Sequence, residues 1–255
     1  DKAFDMDYFT IQCLLRDDDR LYVSIYGRGV DVLSLSRRKI IDKIKLNTIE
    51  GNSIFKLSNG YLIFSLEEGG CAYRKPNGEI KRIKRIPQIP IVGVSEDSYG
   101  NLWFVTHAYG LFSLKISEID KDILDTIVPN QYVSNQNLTS IFCDEGNRIW
   151  LGTKDEGIIL FNPSDREVIK TFDETSGLPS NTIFSILKDN NNNIWATTGK
   201  GIVRIDSRTF AVKSFAYIGK EIQYNSYCEL STKTDHLYFG GMNCFISLDQ
   251  DALIT

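Results

Sequence analysis

At 255 residues the chain has room for one large or two ordinary domains, and in either case it can bury a sizeable core. Its 29 Lys+Arg against 33 Asp+Glu leave a formal net charge of -4, without the basic excess that steers a domain onto phosphates or anionic lipid. Nucleic acid is therefore not an expected partner, and because no stretch approaches roughly eighteen consecutive apolar residues, neither is membrane contact within this chain.

The first residues, Asp1 to Thr10, lack the charged-then-apolar pattern of a secretion signal. The chain begins without Met, as an excised domain would, so that lack leaves the compartment of a parent protein open. Short apolar runs separated by polar or glycine turns then recur to the end. The first copy reads LYVSIYGRGVDVLSL from Leu21 to Leu35, and the second LIFSLEEGGCAY from Leu62 to Tyr73. Leu102 to Leu114 gives LWFVTHAYGLFSL, and Ile149 to Phe161 gives IWLGTKDEGIILF. The fifth copy is the fullest, GLPSNTIFSILKDNNNNIWATTGKGIVRID from Gly177 to Asp206, and the sixth is LYFGGMNCFISL from Leu237 to Leu248.

The bulky residue heading the second run of each copy, Tyr22, Ile63, Trp103, Trp150, Trp195 and Tyr238, returns at intervals of 41, 40, 47, 45 and 43 residues. Runs of four to six residues rich in β-branched and aromatic side chains, bounded by Asn, Asp and Gly, read as strands of an antiparallel meander. Segments such as Glu167 to Phe172 and Ala211 to Ala216 supply a fourth, outer strand. No helical stripe interrupts the pattern, apart from one polar turn expected at Ile116 to Leu124. Four strands per roughly 43 residues is the period of a β-propeller blade. The expected fold is all-β, a propeller of four-stranded antiparallel blades with six repeats in one domain over residues 1–255. Such a chain fits a complete six-bladed ring or, as preferred here, an incomplete seven-bladed one whose preceding blade leaves a strand at Asp1 to Phe9.

Five cysteines, Cys13, Cys71, Cys143, Cys228 and Cys244, show no C-x-x-C pair or His partner at metal spacing and read as buried thiols, with one disulfide left open. His107 and His236 are too few and too separated for a triad or zinc site. The Asp/Asn turns lack calcium-loop spacing and read as tight hairpins that use the left-handed conformation. The three tryptophans recur at one position, where a ring fills the wedge between sheets and its indole N–H finds a carbonyl. No metal or cofactor is expected.

Gly177, Leu178, Ser180-Asn181, Ile186, Asp189, Ile194-Trp195, Thr198 and Gly201 follow one pattern. Asn137-Leu138, Ile141, Asp144, Gly146, Ile149-Trp150, Gly152-Thr153 and Gly157 repeat it. In these residues the chain resembles the two-component regulator propeller repeat, strongly in copies three to five and by spacing alone in copies one and two. The resemblance implies the periplasmic sensor ectodomain of an inner-membrane hybrid histidine kinase of Bacteroides type. It also implies a homodimer formed through the parent ectodomain, an oligosaccharide ligand from polysaccharide breakdown, and a kinase outside this chain.

Repeated residues build blades, so recognition belongs where the copies differ, at the tips between second and third strands. These tips carry Arg28, Glu67, His107, Tyr109, Lys154, Asp155, Lys200 and Asn243, expected around one mouth of a central channel. Arg28, Lys154 and Lys200 suit carboxylate or sulfate, and Tyr109 suits a sugar face. Glu67-Glu68 would point to opposite sides of a strand, and no nucleophile has a nearby base, so the chain is not expected to be an enzyme. A rigid platform for protein interaction or dimerisation and a carbohydrate-active propeller are the alternatives.

Overall fold

The structure, a computed structural model of the 255-residue chain, describes residues 11–45, 51–66, 68–120, 133, 137–216, 224–231, 236–241 and 244–249. Each repeat is an antiparallel sheet whose strands pair in chain order. The first sheet is β1 (Ile11–Asp17), β2 (Arg20–Ile25), β3 (Gly29–Ser34) and β4 (Lys39–Ile44); the second is β5 (Gly51–Lys56), β6 (Leu62–Leu66), β7 (Cys71–Arg74) and β8 (Ile80–Arg82). The third is β9 (Ile91–Glu96), β10 (Asn101–Thr106) and β11 (Leu111–Lys115). The fourth is β12 (Leu138–Cys143), β13 (Ile149–Thr153), β14 (Ile158–Asn162) and β15 (Glu167–Phe172). β16 (Ile183–Lys188), β17 (Asn193–Thr198), β18 (Gly201–Asp206) and β19 (Val212–Ala216) form the fifth, and β20 (Tyr224–Ser231), β21 (His236–Gly241) and β22 (Cys244–Asp249) the sixth.

All six anchors lie on the second strand of their sheets. The first strand bulges near its start in sheets one, two, four and five, between Ile11 and Cys13, Gly51 and Ser53, Leu138 and Ser140, and Ile183 and Ser185. An irregularity copied at one place is part of the repeat, since a bulge re-aims the strand that carries it. Among the described residues the third and sixth sheets have three strands. β11 runs into a 3-10 turn, Ile116–Glu118, and the remainder of the expected excursion beyond Asp120 lies outside the described residues, as does the segment Asp1 to Phe9.

The chain divides into two compact units. One takes the described residues within 1–96, 100–102 and 113–128, the other those within 97–99, 103–112 and 129–255, so the third sheet is split between them. In the first unit Tyr22, Val30, Val32 and Ile44 pack against Ile54, Leu62 and Phe64 of the second sheet. In the second unit Trp150, Ile158, Leu160 and Phe172 pack against Ile183, Ile186, Ile194, Ala196, Val203 and Ile205, while Trp195 and Ile202 face Tyr224, Leu237 and Phe239. Trp103 meets Phe161 edge-on, centroids 6.2 Å apart. Each tryptophan thus fills the wedge toward the next sheet, and Trp150 and Trp195 also stack on an outer-strand ring, Phe172 and Phe215, at 5.7 and 5.5 Å.

The partner of the indole corrects the expectation of a carbonyl. Trp103, Trp150 and Trp195 donate from Nε1 to the carboxylate six residues earlier, Asp97, Asp144 and Asp189, at 2.8, 3.0 and 2.8 Å. The other carboxylate oxygen accepts backbone N–H groups of the hairpin: Tyr99, then Gly146 and Arg148, then Asn191 and Asn193. Backbone donors on one oxygen, two of them at Asp144 and Asp189, and an indole on the other keep a buried charge satisfied. A peptide carbonyl, bound into its own strand, has no comparable freedom. The hairpins also use the left-handed conformation, at Gly60, Gly100, Asn147 and Asn192, each three residues before its anchor.

Neighbouring sheets are joined on the hairpin side by one recurring device. The residue five before an anchor reaches the next copy: Asp17 to Lys56, Ser58 to Glu96 at 2.7 Å, Ser98 to Asn147 at 2.8 Å, and Glu145 to Lys188. Cys71 is buried, as expected of the cysteines, whereas Cys13 and Cys143 are only half-buried. Burial pushes the Cys71 thiol pKa up.

Candidate functional site

The tips between second and third strands are held from below. Where the second strand ends in Thr106, Thr153 or Thr198, the hydroxyl donates to the carbonyl of Gly110, Gly157 or Gly201 and accepts the N–H of Tyr109, Glu156 or Lys200. In copies three to five one buried threonine thus fixes the tip backbone and leaves its outward side chains to vary.

In the first unit, Arg28 lies at 3.1 Å from Asp31. Asp31 is 2% exposed and occupies a position where the other copies place Ala72, Phe112, Ile159 and Val203. Its Oδ2 has no hydrogen bond of good geometry, so the guanidinium compensates it through charge. Arg28 is thereby committed to its own sheet. Glu67 lies outside the described residues; its neighbour Glu68 makes a loose pair with Arg82 at 3.5 Å. Beside this tip, between Gly69 and Gly70 and the connection 82–88, is a cavity of about 320 Å³.

In the second unit, His107 and Tyr109 are exposed on the tip of the third sheet. The tips of sheets four and five are laced together by the connection between β15 and β16. Asp173 caps the short 3-10 turn Glu174–Ser176 reciprocally with Ser176, Gly177 ends it at φ 104, and Leu178 plugs the core. Thr182 donates to the Lys154 carbonyl at 2.9 Å and accepts Gly199 N–H at 2.9 Å; Asn181 accepts Gly157 N–H. Lys154 N–H bonds Asn137 and the Asn137 amide donates to Asp155 at 3.3 Å, while Lys200 lies 3.6 Å from Glu174. The Thr175 hydroxyl and then the Ser176 N–H hold the Asp173 carboxyl below its usual range. Lys154, Asp155 and Lys200 therefore flank one braced strap. Asn243 lies outside the described residues.

The sequence reading missed the strap as a structural element, although Gly177 to Asn181 is its signal, and missed the cavity at Gly69. The first is found by asking what the G-L-P-S-N lead does between copies. The second leaves little trace, because glycines create it.

Residues 177–200 match the family model described as two component regulator propeller. Over 162 residues, 62% of this chain, the sequence is 26% identical to Histidine kinase P4 of Formosa agariphila, and the match takes up 12% of that protein. The extracellular domain of the hybrid two component system BT3049 from B. thetaiotaomicron superposes with a TM-score of 0.76 at 21% identity, covering 98% of this chain and 35% of that one. For the corresponding domain of BT4673 from the same organism the values are 0.80, 16%, 98% and 36%. Virginiamycin B lyase from Staphylococcus aureus gives 0.68 at 14% identity over 96% of this chain and 85% of its own. These likenesses show the fold, a β-propeller, and the chain spans about a third of the two extracellular domains and about an eighth of the kinase.

Proposed function

We propose that this chain, whose fifth sheet carries the two-component regulator propeller repeat, is part of the periplasmic sensor ectodomain of a hybrid histidine kinase. In this reading it contributes to detecting oligosaccharides released from polysaccharides, does no chemistry on them, and passes the signal through a homodimeric ectodomain to a kinase elsewhere in the parent. The carrying observation is the matched segment 177–200, which in three dimensions is the strap and hairpin bracing the Lys154, Asp155 and Lys200 tips. The fold alone does not decide, since a lyase shares it. A rigid, constant frame under variable polar tips is the arrangement a family of receptors needs to change ligand without changing transmission. Signalling further requires that ligand bind two states of the ectodomain with different affinity.

Isothermal titration of the chain against a panel of neutral and acidic oligosaccharides tests the reading. Binding is expected for at least one member, with Lys154→Ala/Lys200→Ala weakening it about tenfold or more through lost charge-assisted hydrogen bonds. Silence across the panel at millimolar ligand overturns the sensing reading in favour of the interaction platform.

A further inference from the structure

We infer that the cavity beside the second tip is a subsite for one sugar ring carrying a carboxylate or sulfate group; this rests on the sensing reading and deepens it. A volume of about 320 Å³ lies at the small end of the ~300–1,000 Å³ typical of small-molecule sites, the scale of a single ring. Its walls are of two kinds. Pro87, half-buried and backed by the buried Ile83 and Ile86, gives an apolar base suited to the C–H face of a pyranose, and Arg82 and Lys84 stand at the rim as exposed cations.

The backbone fixes the walls of this space. Gly69 sits at φ +95, and a Cβ there would lie 2.6 Å from the Gln88 carbonyl carbon, so the tip closes tightly on the connection and admits no side chain. Gly70 N–H donates to Ile89 at 2.9 Å and Ile83 N–H to Cys71 at 2.9 Å, which lock the two walls together. A preformed gap whose walls are fixed by backbone hydrogen bonds loses little entropy when filled.

The charge argument concerns Glu68. It stands 3.5 Å from Arg82, with the two side chains 59% and 38% exposed, the geometry of a weak, solvent-screened pair. A tethered carboxylate at the rim occupies the guanidinium in the free protein, and an oxyanion arriving with a ring in the cavity takes its place. Arg82 then gains a bidentate partner of the kind its fork geometry suits. A neutral ring gains only the apolar base.

Titration of the 255-residue chain with glucuronate, N-acetylglucosamine 6-sulfate, glucose and inorganic sulfate tests this. Glucuronate or the sulfated ring should bind at least about tenfold more tightly than glucose or free sulfate, and the stronger of the two identifies the oxyanion. Arg82→Gln/Lys84→Gln should weaken that binding about tenfold or more, and Glu68→Gln should tighten it about two- to fivefold. All three positions are exposed, and unchanged circular dichroism and melting verify folding of the variants. Equal binding of glucose or of sulfate alone, or indifference to both variants, overturns the inference. If an oligosaccharide binds and Arg82→Gln/Lys84→Gln leaves it untouched, the subsite falls and the sensing reading stands. If the acidic ring binds as described while no oligosaccharide does, the subsite stands and that reading falls.

Discussion

Replacing Asp189 by Asn tests the contact that most of the frame depends on. The carboxylate is 2% exposed and accepts four hydrogen bonds: from Asn191 and Asn193 N–H at 2.9 and 2.8 Å on Oδ1, and from the Asn193 amide and Trp195 indole at 2.8 Å each on Oδ2. An amide keeps the shape and can keep the backbone bonds. Its NH2 then faces two donors, of which the Asn193 amide can rotate to offer its oxygen and the indole cannot. One buried N–H left unpaired costs about 1–3 kcal/mol, and two charge-assisted bonds reduced to neutral ones cost about 1 kcal/mol more. The expected loss is about 2–4 kcal/mol, or roughly 6–12 °C in melting temperature for 3 kcal/mol. Trp195→Phe removes the indole donor, so the double variant should be less destabilised than the sum of the singles by about 1–2 kcal/mol. Urea unfolding followed by far-ultraviolet circular dichroism measures all three. Additivity within about 0.3 kcal/mol, or a single Asn variant within about 0.5 kcal/mol of wild type, would refute the reasoning.

Two glycines in the left-handed region should respond differently to Ala. At Gly157, φ +83, a Cβ would lie 2.0 Å from the Phe172 carbonyl oxygen, whereas at Gly100, φ +72, it would meet nothing within 4 Å; the first substitution should cost about 3 kcal/mol or more and the second about 1, as read by urea midpoints. Glu145→Ala, breaking the Lys188 pair of a side chain that is 74% exposed, should change stability by less than about 1 kcal/mol. Acid should act through Asp120, Asp173 and Asp206. Their carboxyls are held low chiefly by the Tyr73 hydroxyl, the Thr175 hydroxyl and the Thr209 N–H respectively. Because each folded pKa lies below its ordinary 3.8, the stability these groups contribute is present above that pH and lost as pH falls through the folded values. Asp173→Asn/Asp206→Asn should flatten that acid limb of the urea midpoint. Burial raises the Cys71 thiol above its ordinary 9.0, so its contribution is present below pH 9.0 and lost as pH rises past it, and Cys71→Ala should flatten the alkaline limb.

The repeat was legible because its structural residues are periodic. Anchors, hairpin turns and outer strands such as Glu167–Phe172 fall where the spacing places them, even in copy two, where Ile63 replaces the aromatic and is still fully buried. What the spacing does not carry is the partner of each periodic residue. Asp97, Asp144 and Asp189 stand six residues before their tryptophans, and Arg16 and Leu57 hold the same place before Tyr22 and Ile63. Asp and Trp therefore change together from copy to copy, as a donor and its buried acceptor must. That covariation within one chain is a signal for the pair, which the turn position of the Asp taken alone does not carry.

The tips were harder to read for a different reason. A sequence advertises side chains, so Arg28 and Lys200 stood out as cations, yet the fold pairs the first with a buried carboxylate and sets the second beside Glu174. Arg28 faces Asp31 because copy one alone puts a carboxylate where its sister sheets put Ala or a large apolar residue, and an exchange of that kind needs a compensating charge close by. The cavity at the second tip reverses the logic. It exists because Gly69 and Gly70 present nothing, and its walls belong to a connection, 82–88, whose cations look like ordinary solvated charge. Recognition in a repeat of this kind therefore has to be sought twice: once in the side chains that differ between copies, and once in the copies whose tips have lost them.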